Sequence, residues 1–157
     1  MHDLNWLSIG LSRIGTLGAV WIAIALVLAI VWRRPWLLVG VAVAVGITDL
    51  IVDLIKLAVP RHRPFEHQLG PSERTHSFPS GHTATAFAGA TMLAAYLPRW
   101  RVPLYLLAVL IALSRLYNGV HYPTDVIAGT ILGFAVATAL LLLGAGRLRR
   151  RPARRSG

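Results

Sequence analysis

The sequence predicts an all-α protein, an integral membrane bundle of about five spanning helices, on three observations. Hydrophobic residues make up 55% of the 157 residues and charged residues only 14%, where an average soluble domain is about 25% charged. A soluble chain of this size buries only about two thirds of its surface, so too few polar residues are available to coat the remainder. Uncharged stretches recur along the chain and approach the ~20 residues a helix needs to cross the hydrocarbon core. The length allows one domain. Cysteine is absent, which excludes a disulfide scaffold, a thiolate metal site and a cysteine nucleophile. The formal net charge of +10 calls for an acidic partner, and nucleic acid is the ordinary one. The hydropathy argues against that, so the partners expected are membrane lipids and no nucleic acid.

Each element has its own signal. The first uncharged stretch, Ile14 to Trp32, is 19 residues long. Ahead of it, Leu4, Leu7, Leu11 and Ile14 share one helical face, Asp3 suits an N-cap, and Trp6 favours the bilayer interface. Residues 3–14 fit either a short helix lying in the interface or an extension of the first span. The second stretch, Pro35 to Pro60, is interrupted by Asp49, Asp53 and Lys56. The third, Thr83 to Pro98, and the fourth, Val102 to Ser114, are short for spans. Residues that line a site rather than face lipid extend them at their polar ends. The fifth, Val126 to Gly146, is 21 residues dominated by Val, Ile, Leu, Ala and Gly. No cleaved signal peptide is expected. Residues 1–146 read as one membrane domain and residues 147–157 as a basic cytoplasmic tail.

Basic residues set the expected orientation. The tail holds Arg147, Arg149, Arg150, Arg151, Arg154 and Arg155, which places it in the cytoplasm of a plasma (inner) membrane protein. Five spans then put the N-terminus outside. The turn with Arg33 and Arg34 and the turn with Arg99 and Arg101 fall inside. The segment from Pro60 to Ser80 and the turn around His121 fall on the extracytoplasmic side.

That alternation brings four polar helix ends to one face. Lys56, the sole lysine beside fifteen arginines, sits in the last turn of the second span, with Arg61 and Arg63 beyond it. The third span opens with Pro79-Ser80-Gly81-His82, the fourth ends with Ser114-Arg115, and the fifth opens with His121-Tyr122-Pro123-Thr124-Asp125. Ser80 suits an N-cap, and Gly81 leaves the first-turn amides uncovered, which makes an anion site. Lys56, Arg63 and Arg115 add fixed charge, and guanidinium forks match phosphate oxygens. Pro123 suits a first helical position, which sets Asp125 in the first turn, able to accept from one ring nitrogen of His121. The other nitrogen is left as a nucleophile. His82 supplies an imidazole to protonate a leaving oxygen. These groups suffice for phosphoryl transfer without a metal ion or cofactor.

Three motifs carry a family resemblance. Lys56 to Pro64, KLAVPRHRP, is Lys, six residues, then Arg-Pro; residues 79–82 are PSGH; Ser114 to Asp125, SRLYNGVHYPTD, is Ser-Arg, five residues, His, three residues, Asp. In order and spacing they resemble the three signatures of the type 2 phosphatidic acid phosphatase superfamily, which also includes vanadium-dependent haloperoxidases. The resemblance implies a metal-independent membrane lipid phosphatase acting on a lipid phosphomonoester or pyrophosphate. Undecaprenyl pyrophosphate, phosphatidylglycerol phosphate and phosphatidic acid are all permitted substrates. It implies His121 as the nucleophile that forms a phosphohistidine, Asp125 as its partner, and His82 as acid and then base. It implies Lys56, Arg63, Ser80, Gly81 and Arg115 as the phosphate clamp.

Other residues leave alternatives open. Asp53 either positions Lys56 or Arg115 or, with Asp49, lines a proton path or polar floor. A transporter or channel using Asp49 and Asp53, or a vanadate-dependent oxidant-generating enzyme, competes with the phosphatase reading. Arg61 either contacts phosphate or sits in the headgroup layer. His2, His62, His67 and His76 read as structural. The proline-bearing segment between Pro60 and Ser80 reads as a stiffened lid, a headgroup-selecting loop or a connector. Small residues at four-residue spacing, Gly81, Thr85 and Gly89, then Ala86, Ala90 and Ala94, then Gly129 and Gly133, predict close helix contacts or a dimer seam.

Overall fold

The computed structural model describes residues 18–64 and 76–149, with side chains described as far as Gly144. Within these residues it is an all-α integral membrane bundle of five helices. In chain order these are α1 (Ala19–Val31), α2 (Pro35–Ala58), α3 (Gly81–Tyr96), α4 (Arg101–Tyr117) and α5 (Pro123–Arg149), with a 3-10 turn at Pro98–Trp100 ahead of α4. Among the described residues three stretches are long and apolar enough to cross a membrane: Pro35–Ala58, Pro98–Tyr117 and Pro123–Gly144. Proline at the first position starts both α2 and α5, where its fixed φ fits and its missing N–H costs nothing.

The first helix is shorter than the sequence predicts. An unbroken span from Ile14 to Trp32 is corrected to a 13-residue helix that begins at Ala19. Gly18 stands in the left-handed region, with φ 68°, and so interrupts any continuous helix. At 1.5 Å per residue α1 is about 20 Å long, less than the ~30 Å hydrocarbon thickness. Residues 3–14 lie outside the described residues. At its other end α1 closes with two reversed bonds, Arg33 N–H to Ile30 O at 3.2 Å and Arg34 N–H to Ala29 O at 2.9 Å. This Schellman pattern turns the chain straight into α2.

At the far end, α5 runs on to Arg149, so the helix crosses the expected tail boundary at residue 147. Residues 150–157 lie outside the described residues.

The 16-residue α3 is the centre of the bundle and packs against each of the other four helices. Eleven of its residues are buried, from Thr83 to Ala94 with Phe87 excepted. Small side chains allow this. Trp21 of α1 fills the space above Gly89, where any Cβ would overlap its ring. Gly133 of α5 lies against the carbonyl of Ala84, and Gly129 against that of Ser80. The four-residue spacing of Gly129 and Gly133 thus forms the α3–α5 contact inside one chain. The apolar core includes Trp21, Val41, Val45, Leu93, Leu104 and Ile111. Outside it, Leu50, Leu54, Leu57, Val102, Leu106, Ile127, Ile131 and Leu142 stay exposed, which suits a surface solvated by acyl chains.

Candidate active site

The site lies where the C-terminal end of α2, the N-terminus of α3, the C-terminal end of α4 and the N-terminus of α5 meet. Local sequence explains each placement. α4 ends in a second Schellman turn, with Gly119 N–H bonded to Leu116 O at 3.0 Å and Val120 N–H to Arg115 O at 3.4 Å. Gly119 takes φ 64°, which a side chain would resist. The reversal presents Val120 and His121 directly before Pro123 opens α5. The Asp125 carboxylate then folds back over this first turn, its Oδ2 accepting Tyr122 N–H at 2.9 Å.

A backbone bond joins the two helix starts. Ser80 N–H donates to Asp125 O at 3.0 Å. Ala84 N–H is the first group of α3 to bond back, to Ser80 O at 3.0 Å. The amides of residues 81–83 therefore precede the first intrahelical bond and give this end its positive dipole. Ser80 occupies the N-cap position but does not cap with its side chain. Its hydroxyl meets Thr83 Oγ1 at 3.0 Å instead. Ser80 thus stands at the expected N-cap position while its hydroxyl pairs with another hydroxyl rather than with a first-turn amide. Phe78–Pro79, just ahead, is a cis peptide.

Around His121 the predicted groups assemble. Arg63 is buried, and its Nη1 donates to Val120 O at 2.9 Å and lies 3.3 Å from His121 Nε2. A guanidinium has no lone pair to accept with, so Nε2 is the acceptor and the imidazole proton sits on Nδ1. Nδ1 lies 3.6 Å from Asp125 Oδ2, both side chains buried. That is loose for a hydrogen bond, yet the orientation is the one a positioned imidazole needs. Lys56 reaches the start of α3: a methyl added to Gly81 would stand 3.8 Å from its Nζ. Arg115 is buried in the last turn of α4. His82 is half-buried in the first turn of α3.

The structure therefore brings Lys56, Arg63, Ser80, Gly81, His82, Arg115, His121 and Asp125 to one end of the bundle. Arg61, partly exposed at the rim of this end, is engaged by groups at the start of α5. Its Nη1 donates to Asp125 Oδ1 at 2.8 Å and to Thr124 Oγ1 at 2.7 Å, with its guanidinium 4.2 Å from the Tyr122 ring centroid. Asp53 is exposed on α2 and Asp49 half-buried one turn deeper. His62 and His76 are exposed and contribute main-chain carbonyls, to Ser77 Oγ at 3.2 Å and Arg63 Nη2 at 3.4 Å. His2 and His67 lie outside the described residues. Among the described residues no group of three His, Cys, Asp or Glu is placed to hold a metal ion. Sequence reasoning missed Thr83, Thr124 and the Val120 carbonyl as supports, since main-chain acceptors and lone hydroxyls leave no spacing signal.

An apolar helical bundle with an oriented imidazole amid buried cations is the arrangement of a membrane phosphohydrolase. The comparisons specify which kind. Residues 35–149 match the model of the PAP2 superfamily, and the chain belongs to that family, the type 2 phosphatidic acid phosphatases, in its membrane lipid phosphatase branch. It is 35% identical over 136 residues to an undecaprenyl-diphosphatase of Sulfolobus acidocaldarius, covering 83% of this chain and 66% of that one. It is 37% identical over 150 residues to a decaprenylphosphoryl-5-phosphoribose phosphatase of Mycobacterium tuberculosis, covering 90% and 81%. The fold resembles the PAP2-type phosphatidylglycerolphosphate phosphatase of Bacillus subtilis, with a TM-score of 0.78 at 26% identity over 98% of this chain and 81% of that one. It also resembles LpxE of Aquifex aeolicus, with a TM-score of 0.74 at 26% identity over 90% and 87%. The protein is a hydrolase of lipid phosphates or pyrophosphates.

Proposed function

We propose that the protein removes phosphate from a polyprenyl phosphate or pyrophosphate at the extracytoplasmic face of the membrane, through phospho-His121. The observation that carries the chemistry is the His121 ring, with Nε2 beside the Arg63 guanidinium at 3.3 Å and Nδ1 turned to Asp125. In the first step Nε2 attacks phosphorus in line, the bond from phosphorus to the leaving oxygen breaks, and His82 gives that oxygen a proton. In the second, water attacks the phosphohistidine, passes a proton to His82, and the N–P bond breaks to release inorganic phosphate. Lys56, Arg63, Arg115 and the amides at the start of α3 hold the equatorial oxygens, whose charge grows toward the transition state. Ser80 and Gly81 let the phosphate approach that helix end.

The polyprenyl choice is supported by the names of two relatives, undecaprenyl-diphosphatase and decaprenylphosphoryl-5-phosphoribose phosphatase. The extracytoplasmic choice is supported by the arginines, which gather in the turns opposite the site and at the C-terminal end. In this reading α1 and α3 also cross the membrane, giving five spans with a cytoplasmic C-terminus. Their shortness is offset by local bilayer thinning beside α1 and by the polar site at the start of α3.

Purified protein assayed for phosphate release across polyprenyl and glycerolipid phosphates tests the substrate. The expected order places undecaprenyl pyrophosphate first, and a clear preference for phosphatidic acid overturns that choice. Activity is expected to persist in excess chelator, and vanadate is expected to inhibit as a five-coordinate mimic. Loss of activity in chelator, restored by a divalent ion, would contradict the metal-free scheme.

A further inference from the structure

We infer that Arg61 is a positioning residue of the reaction: it holds the Asp125 carboxylate in place and tempers its charge, rather than binding phosphate. The inference rests on the proposed roles of His121 and Asp125. In KLAVPRHRP the spacing Lys, six residues, Arg-Pro is met by Lys56, Arg63 and Pro64, so Arg61 is one of the intervening residues. Its surroundings are nevertheless specific. Three contacts from around the opening of α5 converge on it: the Tyr122 ring at 4.2 Å, Thr124 Oγ1 at 2.7 Å and Asp125 Oδ1 at 2.8 Å. Its own carbonyl accepts Ser77 N–H at 2.9 Å, which ties it to the segment leading into α3.

The carboxylate is thus divided. Oδ1 belongs to Arg61, while Oδ2 accepts Tyr122 N–H at 2.9 Å and lies 3.6 Å from His121 Nδ1. The Asp125 side chain is 0% exposed and that of Arg61 37%. A fully buried carboxylate must be compensated, and Arg61 does so from the rim of the site. The chemical consequence concerns the nucleophile. A carboxylate shared with a guanidinium holds an imidazolium less tightly, so His121 keeps its neutral form and its Nε2 lone pair. Without Arg61 the carboxylate closes on His121 and favours the protonated ring, which cannot attack phosphorus. Among the described residues the other charged or titratable groups at this end are Arg63, which meets Nε2 directly, Arg115 on α4, Lys56 and Asp53 on α2, His82 on α3, and His62, His76 and Tyr122 in the connecting segments. Arg61 acts on the ring through the carboxylate.

The test uses the full-length protein in detergent micelles with a lipid phosphate that the wild type hydrolyses. Arg61→Gln is expected to lower kcat at least about tenfold with KM within about twofold, the size of effect general for a lost orienting contact. The acid limb of its pH–rate profile is expected to move to higher pH. Arg61→Lys is expected to recover part of the loss, since a single nitrogen makes both polar contacts. Arg61→Gln combined with Asp125→Asn is expected to be no slower than Asp125→Asn alone. A raised KM with unchanged kcat, an unmoved pH profile, or additive losses in the double variant overturns the inference. The reading of the site fails separately: full activity in His121→Ala sinks the nucleophile, whatever the Arg61–Asp125 cycle shows.

Discussion

Replacing His121 by alanine is expected to lower kcat by roughly four orders of magnitude or more, the scale seen when a covalent nucleophile is removed. This ring is held from two sides. Its Nε2 lies 3.3 Å from a buried guanidinium, and its Nδ1 is turned to a carboxylate held by Tyr122 N–H and Arg61. In the proposed mechanism alanine removes the attacking atom and leaves the clamp of Lys56, Arg63 and Arg115 standing, so substrate binding is expected to survive. His121 closes a turn that Gly119 and the α4 carbonyls already define, so folding is expected to survive too. The check is phosphate release together with a thermal melt of the same preparation. A stable variant with full turnover would remove His121 from the mechanism.

Gly133→Val is expected to destabilise the bundle by about 1–3 kcal/mol or more, the range for overpacking a close contact. Any Cβ at Gly133 overlaps the Ala84 carbonyl and stands 3.0 Å from Ala88 N. The obstruction is main chain, so no rotamer relieves it, and α3 must move off α5. That movement also separates the Ser80 N–H from Asp125 O, so activity is expected to fall although the substitution is remote from the chemistry. Gly46→Val on α2 is the control, because a Cβ there meets nothing within 4 Å. A Gly133→Val variant that melts with the wild type would refute the packing account.

Most of the site was legible because its motifs bind chemistry to helix ends. PSGH announces a helix start by its proline, serine and glycine, and HYPTD does so by a proline two residues beyond the histidine. Alternation of apolar stretches then predicts that these ends meet. Three particulars were not legible. The break at Gly18 depends on a positive φ, and glycine within an apolar run is equally at home in a membrane helix. The Ser80 hydroxyl turned to Thr83 because a competing partner lies one turn along the same helix, which capping rules do not weigh. Arg61 found Asp125 across 64 residues of sequence, and no local pattern marks it for that partner. Asp49 and Asp53 lie on α2 below Lys56, the first half-buried and the second exposed.

The bond from Ser80 N–H to Asp125 O has a consequence for how such an enzyme can change. In the proposed mechanism it joins the anion-holding end of α3 to the strut behind the nucleophile through main-chain atoms alone. The distance between grip and attacking ring is thereby set by the skeleton, and replacement of surrounding side chains does not loosen it. Side chains along the lipid-facing flank of α2, such as Leu50, Leu54 and Leu57, are then at liberty to vary with the length and shape of the hydrocarbon they meet. Reaction and clientele are mechanically decoupled, so redesign for a new lipid has its natural starting point on that flank.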